Sequence, residues 1–355
     1  MTPLAATEDA RPKGDLKPEQ FTGKRFLVTG GAGFIGSHLV ERLVGLGGQV
    51  VVVDDLSTGR KENLEHIGDG VKLIQRDVRE FDYDEAGPLD CIFNEAARAL
   101  IPSFKDPLTD LAVNTGNTIR ILEYARKSGV RVVHASSGSV YGNPVRIPID
   151  EDHPLNPISP YAASKLSAEH YCILYHGVYG VDVCMLRYFN VYGPRQNVSE
   201  DYGVIPIFVH RALNNAPLTI FGDGRQTRDF LHVEDVVRAN LLAYTAPRMG
   251  GQILNVGGGG KEVSILELSE MVMSLCGVKV PVVFASPKPG DISRLAGDSS
   301  RAGRLIGYSA TVSLADGLER YVAYARGVEK QSGTKKKGEE EVGPGRGPSD
   351  GRVPV

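Results

Sequence analysis

Between Arg25 and Gly36 the chain reads RFLVTGGAGFIG, a short apolar run followed by four glycines within seven residues. Phe26-Leu27-Val28 has the build of a buried parallel strand. After the glycines, Phe34-Ile35, Leu39-Val40 and Leu43-Val44 recur at helical spacing. Strand, glycine turn and helix in that order form the opening unit of a dinucleotide-binding fold. In such a unit Gly30 allows the tight turn, Gly33 lets the backbone approach a pyrophosphate, and Gly36 lets helix and strand pack closely. The helix N-terminus then presents N–H groups and positive dipole density to the phosphates.

A second apolar run, Gln49 to Val53, ends in Asp54, eighteen residues after Gly36. A carboxylate at that point accepts hydrogen bonds from the adenosine ribose and repels a 2′-phosphate, which favours NAD over NADP. Arg60 and Lys61 follow closely and carry the charge that meets a 2′-phosphate, so NAD is a preference. The plainer alternative for Asp54 is the opening of the turn Asp54-Asp55-Leu56-Ser57.

Length and composition leave room for this unit and a partner. The 355 residues are 41% apolar and 23% charged, which fits one large α/β domain with an annex, or two domains. A net charge of −3 gives no reason to expect nucleic acid or an anionic membrane as partner. No apolar run approaches a membrane span, and the N-terminus lacks the apolar core of a signal peptide. Cys91, Cys172, Cys184 and Cys276 have no metal-ligand or disulfide spacing, and three of them sit in apolar runs. A cytoplasmic setting and no metal site are expected.

Strand-like and helix-like segments alternate from Arg25 to about Arg187, which argues for a doubly wound parallel sheet in an α/β chain. The expected strands are Phe26–Val28, Val50–Val53, Val71–Gln75, Cys91–Phe93, Val132–Ala135 and Val183–Leu186. Asp77 follows the third, where it is placed to accept from an adenine amino group or to cap a helix. Long helices are expected from about Asp106 to Ser128 and from Pro160 to Tyr179. Both carry apolar residues on more than one face, which suggests a homodimer built on a helix bundle. Beyond Arg187 come shorter elements between Gly and Pro, with helices expected over 204–214, 234–245, 264–276 and 314–326.

The division expected is a disordered arm over 1–20, a Rossmann domain over 21–187 with chain returning from the C-terminal half, and a smaller α/β substrate domain over 188–327. A disordered tail over 328–355 follows, containing Lys335-Lys336-Lys337 and Glu339-Glu340-Glu341.

Chemistry enters with His134-Ala135-Ser136-Ser137-Gly138-Ser139-Val140-Tyr141-Gly142 at a strand end, followed by Tyr161-Ala-Ala-Ser-Lys165 in a helix. The i, i+4 spacing puts Tyr161 and Lys165 on one helix face. A nearby ammonium lowers a phenol from its ordinary pKa of about 10 toward the range of a useful base. Lys165 also reaches a nicotinamide ribose hydroxyl, and Ser137 shares a proton with the same substrate alcohol. The set suits removal of a proton from a secondary alcohol as its carbon gives up a hydride.

The segments TGGAGFIG, VDDLSTG, SSGSVYG, YAASK, RYFNVYGPRQ and FGDGRQTRDFLHVEDV resemble the extended short-chain dehydrogenases/reductases of the nucleotide-sugar epimerase/dehydratase group. The resemblance covers about Lys24 to Arg326. It implies a tightly held NAD, a nucleoside-diphosphate sugar between the domains and transient oxidation at sugar C4. The cofactor contacts expected are Gly30, Gly33, Phe34, Ile35, Gly36, Asp54, Asp55, Asp77, Val78, Ala96, Ala97, Tyr161 and Lys165. For the substrate, Asn190 and Arg228 match diphosphate-binding positions, Val204 and Phe221 match positions around the base, and Ser137 meets the sugar. Arg195 and Gln196 are further candidates near the sugar. An ion pair with Asp229 or Asp235 is the alternative role for Arg228.

Departures from the family pattern narrow the reaction. Dehydratases of the group carry Asp-Glu directly after the Ser137 position, and pentose-forming decarboxylases carry a Glu in that turn. Gly138 and Ser139 stand there instead and do not titrate near neutral pH. The expectation is a 4-epimerase, UDP-glucose/UDP-galactose first, with UDP-N-acetylhexosamine or UDP-glucuronate close behind. A 4,6-dehydratase or decarboxylase, or a non-catalytic NAD-binding regulator, are the other readings. Asn94 replaces the usual His of the His-x-Ala-Ala turn, and Lys288 replaces a second diphosphate arginine.

Overall fold

The computed structural model describes residues 16–199, 203–287 and 292–340 of the chain, with side chains up to residue 328. Seven parallel strands form the main sheet: β1 (Arg25–Thr29), β2 (Gln49–Asp54), β3 (Val71–Gln75), β4 (Cys91–Asn94), β5 (Arg131–Ser137), β6 (Val183–Tyr188) and, after three strands that lie outside it, β10 (Ile253–Val256). Their order is β10-β6-β5-β4-β1-β2-β3. The reversal of direction falls between β1 and β4, the place where open α/β sheets bind ligands at the strand C-termini. The doubly wound parallel sheet expected from the sequence is present.

Successive residues of β1 face opposite layers, as the two-residue period of a strand requires. Phe26 and Val28 pack with Leu39, Val40 and Leu43 of helix Phe34–Gly45 and with Val236 and Leu242 of helix Val233–Thr245. Leu27 packs on the other side with Ile121 and Leu122 of helix Asn117–Ser128 and Cys172 of helix Pro160–Tyr179. Each such fully buried aliphatic side chain contributes about 1.5–3 kcal/mol of hydrophobic stabilisation. All four cysteines are free and buried, including the one outside an apolar run.

The helix expected from Asp106 is continuous but not uniform. Asp106 caps it, accepting from Thr109 N–H at 3.0 Å, and it runs as α-helix over Pro107–Leu111. A π-turn follows over Ala112–Gly116, and α-helix resumes at Asn117. Such turns gather at functional sites, and this one packs against the helix that carries Tyr161 and Lys165.

The C-terminal half builds a second core. β7 (Asn190–Tyr192) pairs with β9 (Thr227–His232), which also pairs with β11 (Glu262–Ser264) and β13 (Arg294–Leu295). β8 (Leu218–Phe221) pairs with β12 (Val282–Ala285). Helices Val204–Leu213 and Ile265–Cys276 pack here around Phe208, Leu268 and Val272. The last helix is continuous from Leu314 to Glu340, past the point at which the sequence suggests a disordered tail. Lysine and glutamate, read there as a solvated charge run, are also good helix formers. The rest of that tail and most of the N-terminal arm lie outside the described residues. Among the described residues no helix is long and apolar enough to cross a membrane, and no cluster of side chains has the makeup of a metal site.

Candidate active site

The glycine turn fits a dinucleotide by three local features. Gly30 has φ +66°, and a Cβ there would lie 2.8 Å from the backbone of Ala96 in the turn after β4. A Cβ on Gly36 would lie 2.2 Å from the carbonyl oxygen of Gly30, so helix and turn approach as closely as a bare backbone permits. Gly33 is the N-cap of the helix and offers no side chain to it, which leaves the first N–H groups for an anion. Phe34 and Ile35 open that helix, and Ala96 and Ala97 line the facing turn.

Asp54 ends β2 as expected and is buried. Its carboxylate accepts from Ala32 N–H and Leu56 N–H, both at 2.9 Å, and thereby fixes the turn. Burial raises its pKa against these hydrogen bonds. These donors leave lone pairs on the carboxylate, so the turn-forming role does not exclude a ribose hydroxyl as a further donor. Asp55 closes its own turn, accepting from the Ser57 hydroxyl at 2.6 Å. Asp77 caps no helix. Its carboxylate is forked by Arg79, with Nε at 3.0 Å from each oxygen, and this pairing holds it below the usual carboxylate range. Val78, next to it, is buried.

β5 and helix Pro160–Tyr179 bring Ser137, Tyr161 and Lys165 together. Ser137 ends β5 and accepts from Ser139 N–H at 3.2 Å. Its hydroxyl lies against the Tyr161 phenol and pulls that pKa down. Lys165 is buried, 1% exposed, and donates to Ala135 O at 2.8 Å, with Nζ 6.0 Å from the centre of the Tyr161 ring. The sequence predicts a lowered phenol pKa, and the structure differs. Burial pushes Tyr161 up to about 12, with Asp110 and Glu95 adding to the rise, and it pushes Lys165 down to about 8. Lys165 sits beside the ring with its ammonium turned to a backbone carbonyl.

Beneath this pair lies a buried network. Glu169, one turn beyond Lys165, accepts from Ser136 Oγ at 2.5 Å and from Arg187 Nε at 2.8 Å. Arg187 also donates to the Tyr141 hydroxyl at 2.8 Å, and Tyr141 donates to Asn255 Oδ1 on β10 at 2.7 Å. Asn94, in the place of the usual His, accepts from Thr29 Oγ1 at 2.8 Å and binds Thr118 Oγ1 at 3.1 Å and His134 Nδ1 at 3.0 Å. It joins β1, β4, β5 and a helix, and its hydrogen-bond partners among the described residues lie outside the Ser137–Tyr161–Lys165 set.

The substrate candidates are on the facing lobe. Asn190 opens β7 and donates to Asp229 O at 3.3 Å. Arg228 on β9 donates to Thr227 O at 2.8 Å. The carboxylates proposed as its ion-pair partners are engaged elsewhere: Asp229 accepts from Gly258 N–H at 3.0 Å, and Asp235 accepts from Thr311 and Val312 N–H. Phe221 lines a cleft of about 800 Å³ with Gln226, Phe284 and Pro287, while Val204 starts the neighbouring helix. Arg195 is tied to Glu41 and to Ser37 Oγ, so it joins β7's loop to the first helix. Gln196 is buried and donates to Val191 O at 3.3 Å. Lys288 lies outside the described residues. Phe284 and Glu95 were missed from sequence. An exposed aromatic on an edge strand signals the first, and a carboxylate directly after a buried strand signals the second.

The profile of the NAD dependent epimerase/dehydratase family matches residues 26–257. The chain is 43% identical over 312 residues to the UDP-glucose 4-epimerase of Mycolicibacterium smegmatis, covering 85% of this chain and 98% of that one. It superposes with a TM-score of 0.80 on the UDP-glucose 4-epimerase of Thermotoga maritima, solved with UDP-glucose, at 35% identity over 86% of this chain and 99% of that one. The TM-score is also 0.80 for the UDP-glucuronic acid 4-epimerase of Bacillus cereus, solved with UDP-glucuronic acid and NAD, at 33% identity and the same coverage. Fold and site thus define an enzyme of the extended short-chain dehydrogenase/reductase type. The chain belongs to the NAD-dependent epimerase/dehydratase family of nucleotide-sugar enzymes, and its cofactor is NAD.

Proposed function

We propose that the chain is a UDP-sugar 4-epimerase, with UDP-glucose and UDP-galactose as its first substrate pair, acting as a homodimer. When bound, oxidised NAD would supply the acceptor for the C4 hydride. Tyr161 takes the proton of the C4 hydroxyl, Ser137 shares the hydrogen bond to that oxygen, and Lys165 orients the ribose and supports the phenolate. The oxidised sugar turns over, the hydride would return to the opposite face of C4, and Tyr161 gives its proton back to the C4 oxygen. Residues 21–187 hold the cofactor and residues 188–327 hold the sugar nucleotide. Asn190, Arg228 and Lys288 bind the diphosphate, with arginine suited to it by its forked geometry. Val204, Phe221 and Phe284 enclose the base.

The turn after Ser137 carries this reading. Gly138 is buried against Phe189, where a Cβ would stand 3.2 Å from the ring, so a larger side chain at this position requires Phe189 to shift. Ser139 does not titrate. Ser, Tyr and Lys suffice for epimerisation, whereas water or carbon dioxide loss needs a further acid in this turn. The dimer reading is supported by Phe104, Leu108 and Val178, which are 59%, 79% and 65% exposed on the helical layer over β5.

The test is incubation without added NAD with UDP-glucose, UDP-N-acetylglucosamine and UDP-glucuronate, resolving products by chromatography and mass. A new peak of unchanged mass identifies the epimerase and its sugar. A product lighter by water or carbon dioxide refutes the reading of Gly138 and Ser139.

A further inference from the structure

The loop that leaves β7 turns back onto the nucleotide-binding lobe. Gly193 starts it at φ +151°, where a Cβ would stand 2.6 Å from Val233 Cγ1, so the root of the loop is wedged against helix Val233–Thr245. Three of the next four residues cross between the lobes. Pro194 O accepts from His38 Nε2 at 2.9 Å. Arg195 forms an ion pair with Glu41 and donates to Ser37 Oγ at 3.3 Å, with its Nη2 also 3.3 Å from His66 Nε2. Asn197 Nδ2 donates to Thr58 O at 3.2 Å. Gln196, between them, donates back to Val191 O on β7 at 3.3 Å. Arg195 has φ +67°, a left-handed conformation that a residue with a side chain holds where several contacts fix it.

The groups that this loop grips border the dinucleotide cleft. Ser37, His38 and Glu41 belong to helix Phe34–Gly45, whose N-cap is Gly33. His38 also meets the ring of Phe34, the first residue of that helix, edge-on with centroids 6.2 Å apart. Thr58 precedes Gly59, where a Cβ would lie 2.9 Å from each oxygen of Asp54. The chain at 58–59 therefore lies directly against the carboxylate expected to take the adenosine ribose. The same stretch is bound to the glycine turn, with Arg60 N–H and Asn63 Nδ2 donating to Ala32 O at 3.0 Å and 2.8 Å. One short loop thus fastens the second lobe to the pyrophosphate side and the ribose side of the cleft together.

We propose that residues 193–197 are a clasp that retains the dinucleotide, with Arg195 as the positioning residue that closes it on Glu41. The proposal rests on the glycine turn and Asp54 holding NAD, and it does not depend on which sugar is bound. A cofactor seated between the glycine turn and the second lobe leaves when the lobes part. Parting breaks the Arg195–Glu41, His38–Pro194 and Asn197–Thr58 contacts as one set. Arg195, a candidate near the sugar by sequence, acts here on the cofactor.

The experiment loads the wild type and Arg195→Glu with radiolabelled NAD and follows exchange against excess unlabelled NAD. Affinity for UDP-glucose is read on the same loaded proteins by calorimetry. The expected result is exchange faster by about tenfold in Arg195→Glu, with UDP-glucose affinity unchanged. Adding Glu41→Arg restores an opposite-charge pair and is expected to slow exchange again. Exchange at the wild-type rate in Arg195→Glu overturns the clasp, and weaker UDP-glucose binding alongside it returns Arg195 to the sugar site. Faster exchange that Glu41→Arg does not slow overturns the role of the pair. Should Arg195→Glu fail to fold, Glu41→Gln removes one charge from a side chain that is 45% exposed and is expected to hasten exchange by a smaller factor. Exchange at the wild-type rate in that variant also overturns the proposal. A wild type that takes up no NAD overturns the reading of the glycine turn and the clasp together, whereas slow exchange in every variant overturns the clasp alone.

Discussion

Glu169 and Arg187 meet in a two-pronged ion pair, Oε1 to Nε at 2.8 Å and Oε2 to Nη2 at 2.6 Å, with both side chains 1% exposed. The pair ties the helix of Tyr161 and Lys165 to β6, directly under the Ser136–Ser137 strand end. Removing one partner strands the other charge. Arg187→Met is expected to lower unfolding free energy by about 3–5 kcal/mol, read by urea denaturation. A change below about 1 kcal/mol would mean that water or another cation replaces the guanidinium.

Tyr161→Phe removes the hydroxyl and keeps the ring that covers Lys165. Turnover is expected to fall by about 10²-fold or more, while bound NAD, measured by release on denaturation, stays at the wild-type level. Retained turnover would dismiss the phenol as the base. Lost NAD would make it a binding residue.

Gly36→Ala places a methyl 2.2 Å from the Gly30 carbonyl oxygen and 2.8 Å from Gly31 Cα. Backbone atoms cannot yield as a flexible side chain does. The variant is expected to lose about 1–3 kcal/mol of stability and to purify without NAD. A stable variant with full cofactor content would contradict the close approach of helix and turn.

His38 supplies a pH dependence of stability. Its Nε2 meets Pro194 O at 2.9 Å, and burial lowers its pKa from 6.5 to about 4. The unfolded chain therefore takes up the proton first as pH falls. The contribution is complete above pH 6.5 and is lost progressively down to about pH 4, by about 3 kcal/mol in all. His38→Gln is expected to flatten the stability profile across that window. An unchanged acid limb would assign the loss to other groups.

The proposed dimer gives a direct measurement. Light scattering at micromolar concentration is expected to return twice the mass of one chain, and Leu108→Glu with Val178→Glu is expected to halve it. One-chain mass in the wild type sinks the dimer.

The parallel strands and the Tyr161–Lys165 pair were legible in the sequence because they depend on local pattern. Val50 to Val53 is buried on both faces and reads as an unbroken apolar run, and an i, i+4 pair is fixed by helix geometry alone. What escaped depends on distant partners. Ile253–Val256 is a four-residue segment that becomes a strand by pairing with β6, and it is absent from the strands expected from sequence. Glu95 looks like one more surface acid until the Tyr188 hydroxyl, 93 residues away, closes over it. The phenol pKa was misjudged for a related reason. Spacing shows the ammonium near Tyr161, and only the packed structure shows how much water both have lost.

β10 occupies the edge of the main sheet, beside the strand that carries Arg187, and Asn255 on it receives the Tyr141 hydroxyl. The strand arrives after about half of the second lobe has been made. On the ribosome, the nucleotide-binding half therefore waits with an open edge for some sixty-five residues after β6, until Ile253 to Val256 emerge and seal it. Cutting the chain at the boundary between lobes does not release two finished modules, and each half reaches its final form only as the other is completed.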